Sequence, residues 1–113
     1  MSDCIFCKII AGELASDKLY EDEGAVAFRD IHPQAPVHFL VVPKRHIASV
    51  AEITPENSGA AAHCFEVIAK LAVQEKLSGG FRVISNCGEN AGQTVPHIHF
   101  HVLAGKTLGA AMV

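Results

Sequence analysis

Apolar residues recur at helical spacing at Ile5, Phe6, Ile9 and Ile10, which predicts a short helical turn over residues 3–12. Residues 18–21 and 25–29 read as two short strands joined around Asp22-Glu23-Gly24. The segment 31–36 carries Pro33 and Pro36, which break regular structure, so it reads as a loop. Residues 37–42 are rich in β-branched and aromatic side chains and run into Pro43, which predicts a third strand. Thr54-Pro55 opens the one long helix, with threonine as N-cap and proline at the first helical position. Its apolar stripe runs through Ala61, Cys64, Phe65, Ile68, Leu71 and Ala72, and Gly79-Gly80 is the expected stop. A fourth strand at 81–85, a polar glycine-containing loop at 86–94 and a last strand at 97–103 complete the chain. Three strands, a helix and two strands, most too close in sequence for helical crossovers, predict an α+β fold with an antiparallel sheet of about five strands.

Composition narrows the class. The 113 residues are 50% hydrophobic and 19% charged, enough for one buried core and too apolar for disorder. They are read as a single domain spanning residues 1–113. Nine basic and twelve acidic residues, net −3 and interspersed, do not make the basic stripe of a nucleic-acid binder. The apolar run Phe39-Leu40-Val41-Val42 is far short of the roughly 20 residues a membrane span needs. Met1-Ser2-Asp3-Cys4 shows no secretory pattern, so the expected location is cytoplasmic, and the four cysteines are not read as a disulfide framework.

Three of the seven histidines fall in Pro96-His97-Ile98-His99-Phe100-His101-Val102-Leu103. On a strand, His97, His99 and His101 share one face, and Ile98, Phe100 and Val102 share the other. Neighbouring histidines would then lie ~7 Å apart, close enough for two to share one ion but not three. The run therefore admits a solvent-facing polar side, a metal-chelating pair, or nucleophilic chemistry by imidazole. Imidazole suits attack at phosphorus because its ordinary pKa of ~6.5 leaves it uncharged near neutral pH. The loop Gly88-Glu89-Asn90-Ala91-Gly92-Gln93-Thr94 could bring backbone N–H groups to an anion, or be an ordinary turn. Cys4-Ile5-Phe6-Cys7 has the spacing of half a zinc site, and also of a redox pair or of two incidental thiols.

At the histidine run the chain resembles the histidine triad (HIT) family. Phe28-Arg29-Asp30-Ile31, Pro33-Gln34-Ala35-Pro36-Val37-His38-Phe39, and Asn86 through Gly92-Gln93-Thr94-Val95 resemble its Hint branch, the histidine triad nucleotide-binding proteins. The resemblance implies a HIT-like fold with a short N-terminal helix, a homodimer, and hydrolysis of purine nucleoside phosphoramidates to AMP and an amine. It implies that His99 attacks phosphorus to form a nucleotidyl-histidine, that His101 donates to the phosphate, and that His97 either touches the reacting group or orients its neighbours. Gly92, Gln93 and Thr94 fall at phosphate-contacting positions, with Thr94 where relatives often carry Ser. Asp30 falls where a carboxylate takes the ribose diol, and Phe6, Ile9, Phe28 and Ile31 fall where apolar residues sandwich the purine. His38 falls near the ribose and Asn86 near the phosphate. Some HIT relatives bind zinc through a Cys, Cys, His, His set, which maps to Cys4, Cys7, His46 and His97 here. Arg29 and His32 depart from the commoner pattern. Other HIT branches cleave dinucleoside polyphosphates, and a nucleotide sensor with little turnover or a metalloenzyme using His97 and His99 are further alternatives. His63 reads as an exposed or interface histidine without chemistry, Cys64 as core, and Cys87 as core or turn, with a modifiable thiol at the site's edge as its alternative.

Overall fold

The computed structural model describes residues 4–110. Its elements are α1 (Ile5–Ile10), β1 (Lys18–Glu21), β2 (Ala25–Arg29), β3 (Val37–Pro43), α2 (Ser58–Gln74), β4 (Arg82–Ile84) and β5 (Phe100–Ala104). The strands form one antiparallel sheet in the order β1-β2-β3-β5-β4. The α+β expectation of five strands with one long and one short helix holds.

The central strands β2 and β3 are buried along nearly their whole length because both sheet faces are covered. On one face Ala25, Ala27, Phe39, Val41, Phe100 and Val102 pack with Cys64, Val67, Ile68 and Leu71 of α2. On the other, Val26, Phe28, Leu40 and Val42 pack with Phe6 and Ile9 of α1. The side-chain alternation of β3 thus serves two cores rather than a core and a solvent face. At ~25 cal/mol per Å² of apolar area, each fully buried Val, Leu or Phe contributes about 1.5–3 kcal/mol before entropy is counted.

Several boundaries differ from the sequence reading. The long helix begins at Ser58, not at Thr54-Pro55. Asn57 folds its side chain backwards, its Oδ1 accepting from Thr54 N–H at 2.7 Å and its Nδ2 donating to the Glu52 carbonyl at 3.0 Å, so residues 54–57 close a turn first. The helix ends at Gln74, before Gly79-Gly80. Lys76 takes a left-handed φ of 60°, and Leu77 N–H reaches the Ala72 carbonyl at 2.9 Å, a Schellman-type stop made without glycine. Val67 joins the buried stripe, whereas Phe65 is half exposed and meets Phe100 with ring centroids 4.9 Å apart. The fourth strand is trimmed to three residues.

The last strand begins at Phe100, not at His97. Ile98 N–H donates to the Ile47 carbonyl at 2.6 Å and His97 N–H to that of Val95 at 2.8 Å, so this stretch bonds outside the ladder. Ile98, Phe100 and Val102 still enter the α2-side core, and the histidines turn the other way.

Candidate active site

His38, Asp30 and the three histidines of the run gather on the α1 face. Asp30 follows β2 directly, and its N–H donates to the His38 carbonyl at 3.0 Å. Leu40 lies opposite His101 in the β3–β5 ladder, which puts His38 and His101 on one sheet face as diagonal neighbours. The rings of His99 and His101 have centroids 5.0 Å apart, and Phe6 of α1 packs edge-on against His99 at 4.9 Å.

Hydrogen-bond partners assign the ring protons. A carbonyl only accepts. His99 Nδ1 lies 2.7 Å from the His97 carbonyl oxygen, so Nδ1 carries the proton and Nε2 keeps its lone pair. His97 Nε2 lies 2.9 Å from the Pro43 carbonyl oxygen, so its lone pair is on Nδ1. Gln34 N–H donates to His38 Nδ1 at 3.0 Å, which places the His38 proton on Nε2. That Nε2–H faces His101 Nδ1 at 3.0 Å and Asp30 Oδ2 at 3.3 Å. His101 Nδ1 therefore accepts, and His101 Nε2–H is a donor. The result is an imidazole lone pair on His99 beside an imidazole N–H on His101.

Burial keeps these rings neutral. Desolvation lowers the pKa of His38, His97 and His99, with Asp30 opposing weakly at His38 and His99. His101 is pushed down to about 4, first by burial and then by the neighbouring His99 and His38.

A second cluster lies where α1 meets the start of the histidine run. The ligand atoms of Cys4, Cys7, His46 and His97 all lie within 4.8 Å of one another. Cys4 Sγ to His97 Nδ1 and Cys7 Sγ to His46 Nδ1 are each 3.3 Å, Cys7 Sγ to His97 Nδ1 is 3.6 Å, and the two Nδ1 atoms are 3.1 Å apart. A tetrahedral zinc, with bonds of about 2.3 Å to sulfur and 2.0–2.1 Å to nitrogen, separates its ligand atoms by roughly 3.3–3.8 Å. His97 presents its lone pair inward while its other nitrogen donates to a backbone carbonyl, the arrangement that holds a ligating imidazole in place. These four residues fit a metal ion. Asp30, His38 and His101 also converge, but the His38 nitrogen facing that trio carries a proton.

The loop before the run is stapled rather than free. Gln93 uses its side-chain amide completely, with Nε2 donating to the carbonyls of Ala48 at 2.7 Å and Val95 at 3.0 Å and Oε1 accepting from Gly88 N–H at 2.8 Å. Its backbone N–H donates to the Gly88 carbonyl. Gly92 sits at φ 84°, a conformation that favours glycine, and Gly92 and Thr94 are exposed. Asn86 is half-buried at the start of this loop. Phe6, Ile9 and Phe28 are buried, while Ile31 is 86% exposed. Cys64 is buried, its thiol pushed up to about 12. Cys87 is exposed rather than core, its Sγ lies 3.3 Å from Ser49 Oγ, and hydrogen bonds to the thiolate from that hydroxyl and from Ala51 N–H lower its pKa.

The sequence reading missed the groups that fix the imidazoles: the Pro43 and His97 carbonyls, the Gln34 N–H, and Ser85, whose hydroxyl donates to the His99 carbonyl at 3.0 Å. Three are backbone groups, which no residue pattern marks. A cavity of about 650 Å³ at the far end of α2, lined by Lys76, Leu77, Phe81, Arg82 and Lys106 among others, holds none of the histidines.

Residues 3–112 match the family described as scavenger mRNA decapping enzyme C-term binding. The chain is 47% identical to a histidine triad protein from Clostridium difficile, with a TM-score of 0.95 over 99% of this chain and 98% of that one. The chain belongs to the histidine triad family. Within the HIT family it is Hint-like. A HIT family hydrolase from Clostridium thermocellum superposes with a TM-score of 0.97 at 44% identity, over 100% and 99% of the two chains. The purine nucleoside phosphoramidase of Escherichia coli K12 is 44% identical over 95% of this chain and 91% of its own. An uncharacterized HIT-like protein of Synechococcus elongatus is 46% identical over 94% and 93%.

Proposed function

We propose that this HIT protein, one domain over residues 1–113, is a nucleotide hydrolase. It cleaves the P–N bond of purine nucleoside phosphoramidates through a nucleotidyl-histidine intermediate on His99. The observation that carries the reading is the fixed tautomer of His99. A buried, neutral imidazole with Nδ1–H held by the His97 carbonyl keeps its nucleophilic Nε2 without any proton transfer first. His101, with Nε2–H as a fixed donor, stabilises charge on the phosphoryl oxygens, and His38 holds it in that tautomer. The name of the Escherichia coli relative supports the P–N substrate class.

Thr94 Oγ and the backbone around Gly92 meet the phosphate, with Asn86 beside them. Gln93 serves by holding the loop to Ala48. Asp30 takes the ribose diol, with His38 beside it, and Phe6, Ile9, Phe28 and the exposed Ile31 line the base. Zinc is held by Cys4, Cys7, His46 and His97. When bound it supplies a structural cross-link between α1 and the histidine run, while the chemistry stays with His99 and His101. A homodimer is supported by the edge position of β4 with Val83 exposed, and by Phe65 and Val73 exposed on α2.

The test is rapid trapping in base, because the P–N bond of a nucleotidyl-histidine is labile in acid. Adenosine 5′-phosphoramidate mixed with excess enzyme and quenched early should add one AMP to the peptide bearing His99. Hydrolysis without any adduct, together with a His99→Ala variant that still turns over, would refute the mechanism.

A further inference from the structure

We propose that Cys4 and Cys7 are a reversible oxidation site through which hydrogen peroxide, or an organic hydroperoxide, detunes the nucleotide pocket. Both sulfurs belong to one cluster whose ligand atoms lie within 4.8 Å of one another, and Cys7 N–H already donates to Cys4 Sγ at 3.3 Å. A disulfide brings its sulfurs to about 2.05 Å with Cβ atoms near 3.8 Å, so closing the bond needs only local movement of the first turn of α1. Access is asymmetric. Cys4 is buried, whereas Cys7 is partly exposed beside the exposed His46. Peroxide therefore reaches Cys7 first.

The chemistry balances within the pair and its oxidant. Cys7 Sγ attacks a peroxide oxygen, the O–O bond breaks, and the departing hydroxide takes a proton to leave as water, giving Cys7 sulfenic acid. Cys4 Sγ then attacks the Cys7 sulfur, the S–S bond forms, and the sulfenic hydroxyl leaves as a second water. Two thiols lose two electrons and two protons, and one hydrogen peroxide becomes two waters. A bound metal loses two of its four ligands in the process and is released.

The consequence runs through Phe6, which lies between the two cysteines in sequence. Its ring packs against His99 at 4.9 Å, Phe28 at 5.7 Å and His97 at 5.9 Å. Pulling Cys4 and Cys7 together withdraws Cys4 Sγ from His97 Nδ1 and re-aims that ring at the base wall and the attacking imidazole. This effect on the pocket rests on the reading of the site given above, whereas disulfide formation and metal release do not.

The experiment titrates zinc-loaded protein with one to five equivalents of hydrogen peroxide. Three quantities are read: zinc released to a colorimetric chelator, peptide masses, and AMP affinity by calorimetry. The expected result is one zinc released per chain in step with a Cys4–Cys7 cross-linked peptide about 2 Da lighter, and AMP binding weakened about tenfold. Dithiothreitol with zinc should restore all three. Cys87→Ser should respond like the wild type, and Cys7→Ser should form no such peptide. Oxidation confined to Cys87 with zinc retained would overturn the switch, as would a disulfide that leaves AMP affinity unchanged. Purified protein that carries no zinc yet forms the disulfide would fail the metal reading and leave the switch standing. Reduced protein that does not bind AMP at all would fail the nucleotide reading instead.

Discussion

On the α1 face of the sheet, His38, His97 and His99 are buried and His101 partly so, and each has a ring nitrogen fixed by a neighbour. On α2, His63 sits between two carboxylates, with Nε2 2.7 Å from Asp22 Oδ2 and Nδ1 3.4 Å from Glu66 Oε1. Asp22 Oδ2 also accepts from Tyr20 OH, which Lys70 reaches in turn. Gly24 allows the approach, since a Cβ there would come within 2.9 Å of the His63 ring. His63 thus has a structural partner that the sequence reading did not give it, tying α2 to the β1–β2 turn. The contrast is electrostatic. Burial makes the first set weak bases, while the hydrogen bond to Asp22 makes His63 a stronger one. One residue type is a weakened base in one place and a strengthened, carboxylate-paired base in the other, and the surroundings alone decide which.

Removing one histidine from each region should give very unequal losses. His99→Ala should cut phosphoramidate turnover by on the order of 10³-fold or more while AMP still binds, because the proposed mechanism makes the lost group the nucleophile. His63→Ala should leave turnover within about twofold, as read in the same steady-state assay. Equal losses would erase the distinction between the regions. Next in size is the metal. If zinc fills the Cys4, Cys7, His46 and His97 cluster, chelating it from reduced protein should lower Tm by more than the ~4–8 °C that 1 kcal/mol represents in a domain of about 100 residues. Turnover by the fraction still folded should persist. Metal removal that stops turnover while fold and AMP binding survive would favour metal-dependent catalysis.

His101→Ala removes a donor rather than the nucleophile. It should cost about 2–4 kcal/mol in kcat/KM with covalent His99 still detectable by mass. If Asp30 holds the ribose, 2′-deoxy substrates should lose about 1–3 kcal/mol in kcat/KM, and equal efficiency for the two sugars would remove that role.

The smallest effect is the pH dependence of stability, where the two regions carry opposite signs. For the lowered imidazoles, the unfolded chain binds more protons below pH ~6.5. Their contribution is therefore present above that pH and lost as pH falls toward about 4, the value for His101. For His63 the folded pKa is raised, so its contribution is full below ~6.5 and lost as pH rises through the raised value. Urea unfolding of wild type and His63→Ala should differ by less than ~1 kcal/mol at pH 6, after allowing for solvent screening, and converge by pH 9. A difference that grows with pH would contradict the pairing.

Strands β1 and β2 were legible to the residue because each is a short β-rich run bounded by turn chemistry, and those signals are local. The boundaries of α2 were not. Asn57 spends its side chain on Thr54 and Glu52, and Lys76 adopts the left-handed turn that the sequence pattern assigns to the glycines downstream. The histidine spacing correctly sorted the run into two faces. It did not reveal that His97 and His99 precede the strand, because the Ile47 carbonyl that captures Ile98 comes from a segment about fifty residues away.

The residues alone carried the family motifs, the alternation that sends Ile98, Phe100 and Val102 inward, and the Cys4–Cys7 spacing, to which the family resemblance added His46 and His97. Tertiary structure decided which nitrogen of each imidazole is free, through the Pro43 and His97 carbonyls and the Gln34 N–H. It also decided that Gln93 is committed to its own loop, and that His63 is a staple. The physical reason is common to all of these. Apolar patterning is written one residue at a time, whereas a proton's position depends on backbone groups and dielectric surroundings that exist only once distant segments have packed.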